Sequence, residues 1–148
     1  MKTVYLGIGS NLGDREGFIH KAISLLGQIA GVKVAKISSL YETDPVGGPP
    51  QGKFLNGALQ IQTDLTPLEL LNQLKSIEQF LGRRSRIKNG PREIDLDILI
   101  YADQRIQIPE LQIPHPRMME REFVLHPLRE IALHDENLSI WRLPKILS

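Results

Sequence analysis

Between residues 94 and 100 the chain runs Ile94, Asp95, Leu96, Asp97, Ile98, Leu99, Ile100, and this alternation restricts the fold more than any other stretch. In an extended chain residues i and i+2 face the same way. A strand here therefore sends Ile94, Leu96, Ile98 and Ile100 toward a core and leaves Asp95 and Asp97 side by side on the opposite face. Two carboxylates that close repel, and Asp is depleted in strands. The pair asks for a compensating cation. A hard divalent ion such as Mg2+, held by one or two carboxylates together with phosphate oxygens, fits; a solvated strand face is the plainer alternative.

The preceding residues favour phosphate. Residues 83 to 92 carry Arg83, Arg84, Arg86, Lys88 and Arg92 and no acid, in a chain whose formal net charge is only +1. Guanidinium groups bind phosphate oxygens in a planar fork, and a metal-binding acid pair next to them completes a clamp for a polyphosphate. The acids and bases together predict a nucleotide phosphate site.

At 148 residues the chain is most simply one domain, 1–148, large enough for a core without disulfides. It has no cysteine, which excludes thiolate metal sites and cysteine nucleophiles. The first residues reach Gly7, Gly9 and the charges Asp14, Arg15 and Glu16 too soon for a secretory signal. No apolar run approaches the roughly 18 residues of a membrane helix, so a cytoplasmic protein with no membrane partner is expected. A pI near 8.0 gives no strong push toward nucleic acid.

Elements alternate along the chain. Thr3 to Ile8 reads as a buried strand, and Phe18, Ile19, Ala22, Ile23, Leu26 and Ile29 as a helix that stops at Gly31. Val32 to Glu42 predicts one strand. Phe54 to Thr63 predicts another, with Leu59, Ile61 and Thr63 facing opposite to Ala58, Gln60 and Gln62. Thr66-Pro67-Leu68-Glu69 is a capping box with Pro at the first helical position, opening a helix that ends at Gly82. Six of the eleven residues from Thr43 to Lys53 are Gly or Pro, which makes this a surface loop able to carry a ligand. Ala102 to Pro116 is short-strand and turn material, Phe123 to Leu133 is amphipathic, and Trp141 marks a weakly patterned end. The mixture predicts an α+β sandwich.

Gly7-x-Gly9 with Gly13 fails the dinucleotide fingerprint, since Leu12 stands at its third glycine, and no Walker A lysine follows. These glycines read as strand-to-helix packing. His20, His126 and His134 have no ligand spacing. His115 differs, because Pro114-His115-Pro116 with Arg117 and Arg121 behind it could aim an imidazole at a phosphate.

Six blocks of residues then converge. Gly9-Ser10-Asn11-Leu12-Gly13, Tyr41-x-Thr43-x-Pro45, Phe54-Leu55-Asn56, Ile77-Glu78 with Gly82-Arg83, Gly90-Pro91-Arg92-x-Ile94-Asp95-Leu96-Asp97-Ile98 and Pro114-His115-Pro116-x-Met118 closely resemble the 6-hydroxymethyl-7,8-dihydropterin pyrophosphokinase family, from about residue 2 to 132. The resemblance implies a folate-biosynthesis enzyme that moves the terminal diphosphate of ATP onto the pterin hydroxymethyl group and releases AMP. It also implies a ferredoxin-like α+β sandwich with a mainly antiparallel sheet, acting as a monomer with two Mg2+ ions. By position, Asp95 and Asp97 match metal ligands, and Arg83 and Arg92 match catalytic, phosphate-contacting arginines. Glu78, Arg86, Ile98, His115 and Arg121 match the ATP site; Thr43, Pro45, Val46, Phe54, Asn56 and Phe123 match the pterin side. Asn56 offers a donor and an acceptor to an amide-like edge, and Phe123 a ring to stack.

The chain departs from the family in several places. Asn89 stands where Trp is frequent, Phe54 where Tyr is common, and Lys75 where Gln is frequent. The segment from Gly82 to Gly90 is one residue shorter than in some members, so Ser85 and Arg86 both remain candidates for a third arginine's place. Loops 43–53 and 83–92 are natural lids. Two other classes fit parts of the pattern. A two-metal nuclease or other phosphotransferase would use the acids and arginines but leave Thr43, Asn56 and Phe123 unexplained. An RNA-binding module would use the basic loop but needs paired exposed aromatics, in a chain with 5% aromatic residues.

Overall fold

A computed structural model gives the fold and describes residues 1–83 and 90–132. Alternating apolar residues make β1 (Lys2–Ser10) the central strand, with Val4, Leu6 and Ile8 in the core. It pairs antiparallel with β4 (Phe54–Thr63) on one side and β5 (Asp95–Tyr101) on the other, and β2 (Val32–Ile37) pairs antiparallel with β4. The order β2-β4-β1-β5, with helices after β1 and β4, is the split βαβ arrangement of a ferredoxin-like sheet. A separate hairpin joins β6 (Ile106–Ile108) and β7 (Leu111–Ile113).

Helices α1 (Arg15–Gly27) and α2 (Pro67–Phe80) cover one sheet face, burying Ile19, Ala22, Leu26, Leu70 and Leu74 against Leu6, Leu59, Ile61 and Leu96. The capping box of α2 forms as read, Thr66 accepting from the Glu69 N–H and Glu69 from the Thr66 N–H. Gly82, at φ +97, follows the Leu81 cap. On the other face α3 (Glu122–Ala132) lays Leu125, Leu128 and Ile131 over Tyr5, Ala58, Leu99 and Ile100. Among the described residues no helix is long and apolar enough to cross a membrane.

Three expectations need correction. Helix α1 stops at the Gln28 cap instead of Gly31. Gly31, at φ +82, belongs to the turn into β2, where its carbonyl accepts from the Asp64 N–H at 3.0 Å and the Thr63 hydroxyl at 2.8 Å. The single strand expected over Val32 to Glu42 is two, β2 and β3 (Tyr41–Thr43), both paired to β4. Ser38 causes the break: its hydroxyl accepts the Ala58 N–H at 2.8 Å and takes a place in the ladder that a backbone carbonyl would otherwise fill. The third concerns the apolar stripe. Tyr5 pairs with Ile100 but Leu6 with Ile98, so Leu99 is an inserted residue. The bulge turns Ile100 to the α3 face, away from Leu96 and Ile98, while Tyr101 joins their core.

Candidate active site

Beyond the N-terminal end of α3 the same sheet face lies open. Register brings Asn56 on β4, Gly9 on β1 and Asp95 on β5 into one cross-strand row, and Ala58, Gly7 and Asp97 into the next. Two glycines thus separate an amide from two carboxylates, and the absence of side chains between them makes the floor of a cleft. It encloses about 850 Å3, including the part open to solvent. Thr43, Val46, Phe54 and Asn56 line one side; Arg92, Asp95, Asp97, His115, Arg121 and Phe123 line the rest.

The charges are arranged unequally. Asp95 Oδ1 accepts from Arg83 at 2.9 Å and its Oδ2 lies 3.4 Å from Arg92, so both of its oxygens face guanidinium. Among the described residues no cation pairs with Asp97. Burial, then the charges of Asp95 and Glu78, push its carboxyl up to about 7. A carboxylate held beside another acid, in a cleft, with no cation of its own, suits a bound cation. Among the described residues no group of three or more His, Cys, Asp or Glu side chains could hold a metal. An ion here would therefore rest on Asp95, Asp97 and oxygens of a ligand, which is the donor set Mg2+ takes beside phosphates.

Glu78 is neither an exposed helical acid nor part of the cleft wall. It is 5% exposed, and burial raises its carboxyl above the usual range. Its Oε2 accepts from the Leu96 N–H at 2.8 Å and from Arg83, joining α2, the start of β5 and that arginine. Arg83 likewise stands behind the lining, reaching the cleft through Asp95. Ile98 is 3% exposed with its side chain in the core and does not line the cleft. Pro45 lies in the loop without lining the cleft. Arg86 and the rest of 84–89, and with them most of the expected cationic lid, lie outside the described residues, as do His134 and Trp141.

The His115 N–H donates to the Leu99 carbonyl at 2.9 Å, fixing the loop against β5. Burial, then the Arg121 charge, lowers the pKa of its imidazole. Arg121 stands 5.5 Å from the Phe123 ring centroid, within cation–π reach. Asn56, 9% exposed, donates from Nδ2 to the Thr43 hydroxyl and keeps its oxygen toward Gly9. His20 and His126 are exposed.

Sequence reasoning missed Gly7, Gly9, Asp44, Gly57, Gly90, Leu99 and Val124, all of which line the cleft. The first two were read as strand-to-helix packing. The spacing of Gly7 and Gly9 on one strand face was the available signal, and it gains meaning only when Asn56 and the two acids are placed opposite.

A family model described as 7,8-dihydro-6-hydroxymethylpterin-pyrophosphokinase (HPPK) matches residues 5–133. A 2-amino-4-hydroxy-6-hydroxymethyldihydropteridine pyrophosphokinase of Bacillus subtilis is 52% identical over 128 residues, covering 86% of this chain and 77% of that one. One from Aquifex aeolicus is 48% identical over 131 residues, covering 88% and 81%. In the bifunctional protein FolKE of Lactococcus lactis the match is 46% over 135 residues, 91% of this chain but 39% of the relative. Among solved structures, Plasmodium falciparum HPPK-DHPS with pteroate superimposes at a TM-score of 0.69 with 16% identity, covering 95% of this chain and 42% of that one. At that identity the likeness speaks for the fold.

Proposed function

The chain belongs to the 7,8-dihydro-6-hydroxymethylpterin-pyrophosphokinase family, and on that premise we propose that Asp95, Asp97 and the arginines around them hold ATP while Asn56 and Phe123 hold the pterin. The reaction is pyrophosphoryl transfer from ATP to the hydroxymethyl group of 6-hydroxymethyl-7,8-dihydropterin, in folate biosynthesis. Moving both terminal phosphoryl groups leaves AMP. The observation that supports the residue assignment is the row Asn56, Gly9, Asp95, in which one bare glycine separates an amide from a carboxylate.

Two Mg2+ ions would be held by Asp95, Asp97 and phosphate oxygens, supplying charge neutralisation at the triphosphate. Arg83 and Arg92, which Asp95 now engages, exchange that carboxylate for phosphate oxygens when ATP enters. Glu78 keeps Arg83 aimed, and His115 and Arg121 close the phosphate side. Opposite them Thr43 steadies the Asn56 amide, Phe54 and Val46 wall the heterocycle, and Phe123 stacks on it. The pterin hydroxyl is thereby brought in line with the β-phosphorus, so positioning and fixed positive charge supply most of the acceleration. The reading takes 1–148 as a single domain that works as a monomer.

The test supplies Mg-ATP and the pterin together and separates the nucleotide products. AMP that depends on pterin, without ADP, is expected; ADP as the main product overturns the reaction. Asp97→Ala should lower turnover by orders of magnitude, metal stabilisation of a transferred phosphate being a several-kcal/mol effect. Its metal-free fold should be as stable as the native one, since one of two repelling acids is gone. Near-native activity in that variant would reduce this face to solvated strand.

A further inference from the structure

We propose that Arg15, which lies outside the cleft, is a positioning residue for the acceptor: it sets Thr43 and Phe54 against the pterin by tying β3 to β4 where their ladder ends. The inference rests on the reading that Thr43, Phe54 and Asn56 meet the pterin. β3 is three residues long, and its last register pair is Thr43 with Phe54, both of which line the cleft. The end of so short a ladder opens more readily than the middle of a sheet. Alternation sends Glu42 to the other face, opposite Leu55, whose side chain belongs to the core under α1 and α2. There Arg15 meets it. Arg15 Nη1 donates to Glu42 Oε1 at 2.9 Å and to the Lys53 carbonyl at 2.9 Å, so one guanidinium nitrogen holds the residue before Thr43 and the residue before Phe54.

Arg15 is the first residue of α1, and the Asp14 cap fixes its place, the Asp14 carboxylate accepting from the Gly17 N–H at 3.0 Å. A cation in the first turn opposes the helix macrodipole. Arginine is therefore a poor residue for α1 itself, and the two strands it joins explain its presence. Thr43 carries the effect into the cleft. Its hydroxyl accepts from Asn56 Nδ2, so a Thr43 that leaves the ladder releases an amide that must be aimed before the heterocycle arrives. None of these contacts reaches Asp95 or Asp97, and the nucleotide side should not register their loss.

The experiment measures steady-state kinetics with Mg-ATP and 6-hydroxymethyl-7,8-dihydropterin each varied, and thermal melts, for the native protein, Arg15→Ala, Thr43→Val, the two combined, and Asn56→Ala. Arg15→Ala should raise the pterin KM at least about threefold, the upper part of what a partly exposed ion pair contributes. Its kcat and ATP KM should stay within about twofold of native, and its Tm should not fall by more than about 2 °C, since α1 loses an unfavourable first-turn cation. In the Thr43→Val background the same substitution should change the pterin KM by less than about 1.5-fold, because residues that act through one contact are not additive. An unchanged pterin KM in Arg15→Ala overturns the proposal. So does a full additional loss in the double variant, which would mean that Arg15 does not act through Thr43. A lower Tm with both substrates weakened together would make Arg15 a merely structural residue and overturns it as well. Asn56→Ala separates the two readings. If it leaves the pterin KM at the native value, the pterin side is misassigned and this inference falls with it; if it raises that KM and Arg15→Ala does not, this inference alone is overturned.

Discussion

Gly9 carries no side chain because Asn56 occupies the space one would need. A Cβ built on Gly9 lies 2.7 Å from Asn56 Oδ1, closer than real Cβ contacts come, and 3.4 Å from the Leu55 carbonyl. The atom in the way is the tip of a side chain, so Gly9→Ala should fold and push the Asn56 amide off its Thr43 partner. Loss of one such hydrogen-bonding partner costs on the order of 1–3 kcal/mol. The pterin KM should therefore rise roughly tenfold or more while the ATP KM stays within about twofold. Steady-state kinetics with each substrate varied measures this, and an unchanged pterin KM would show that Asn56 does not meet the heterocycle. The case also marks what is legible one residue at a time. Asp95, Asp97, Arg92 and Asn56 declare their chemistry by type, and the structure gathers them in one cleft. A glycine declares only freedom or emptiness, and which of the two applies depends on its cross-strand partners. Arg15 was legible only as a charge, because its bonds to Glu42 and Lys53 span 27 and 38 residues of sequence separation.

At the scale of elements, local chemistry predicted what it also controls. The α2 boundaries follow from Thr66, Pro67 and Glu69, and β4 appears over Phe54–Thr63 as its alternation requires. Where tertiary contacts intervene, the pattern misleads. The Ser38 hydroxyl splits a predicted strand, and the inserted Leu99 moves Ile100 to the other face. Helix α3 was readable as amphipathic, but its seat on the site-bearing face was not. A polar clamp holds it there. Glu130 Oε2 accepts from the Ser39 N–H at 2.8 Å and the Ser39 hydroxyl at 3.2 Å, its Oε1 accepts from the Tyr41 hydroxyl, and Tyr41 packs edge-on against His126. The Tyr41 hydroxyl, followed by Ser39, lowers the pKa of the Glu130 carboxyl. A depressed carboxylate pKa contributes stability that is present above the unfolded value of about 4.3 and lost as pH falls through the folded value. Glu130→Gln should accordingly lower Tm by roughly 2–4 °C at pH 7, with the gap closing as pH drops below about 4. Thermal melts of both proteins across pH check the sign. A gap that persists or widens in acid would mean that the ionised carboxylate is not what anchors α3.

For the whole molecule the question is whether one chain suffices. Each wall of the cleft comes from the same chain: the floor from β1, the pterin side from β3, its following loop and β4, the acids from β5, Gly90 and Arg92 from the segment before it, and the remainder from residues 115 to 124. The sheet that carries these elements is covered on one face by α1 and α2 and on the other by α3, so both cores share its strands. Damage to either core disturbs the cleft, and unfolding should be one cooperative transition. Among the described residues the exposed large apolar side chains do not gather into a face for a second copy. Ile37 lies on β2, Val46 in the loop, and Leu68 and Phe80 near opposite ends of α2, the ordinary scatter of single apolar side chains on a protein surface. A site that needed a partner subunit would lose activity with protomer concentration, because association follows mass action. Turnover per chain should instead hold constant across a dilution on the order of a thousandfold. Sedimentation at the upper concentration should give the mass of one 16.7 kDa chain. Turnover that falls on dilution, together with a heavier sedimenting species, would place part of the working site on a second copy and end the monomer reading.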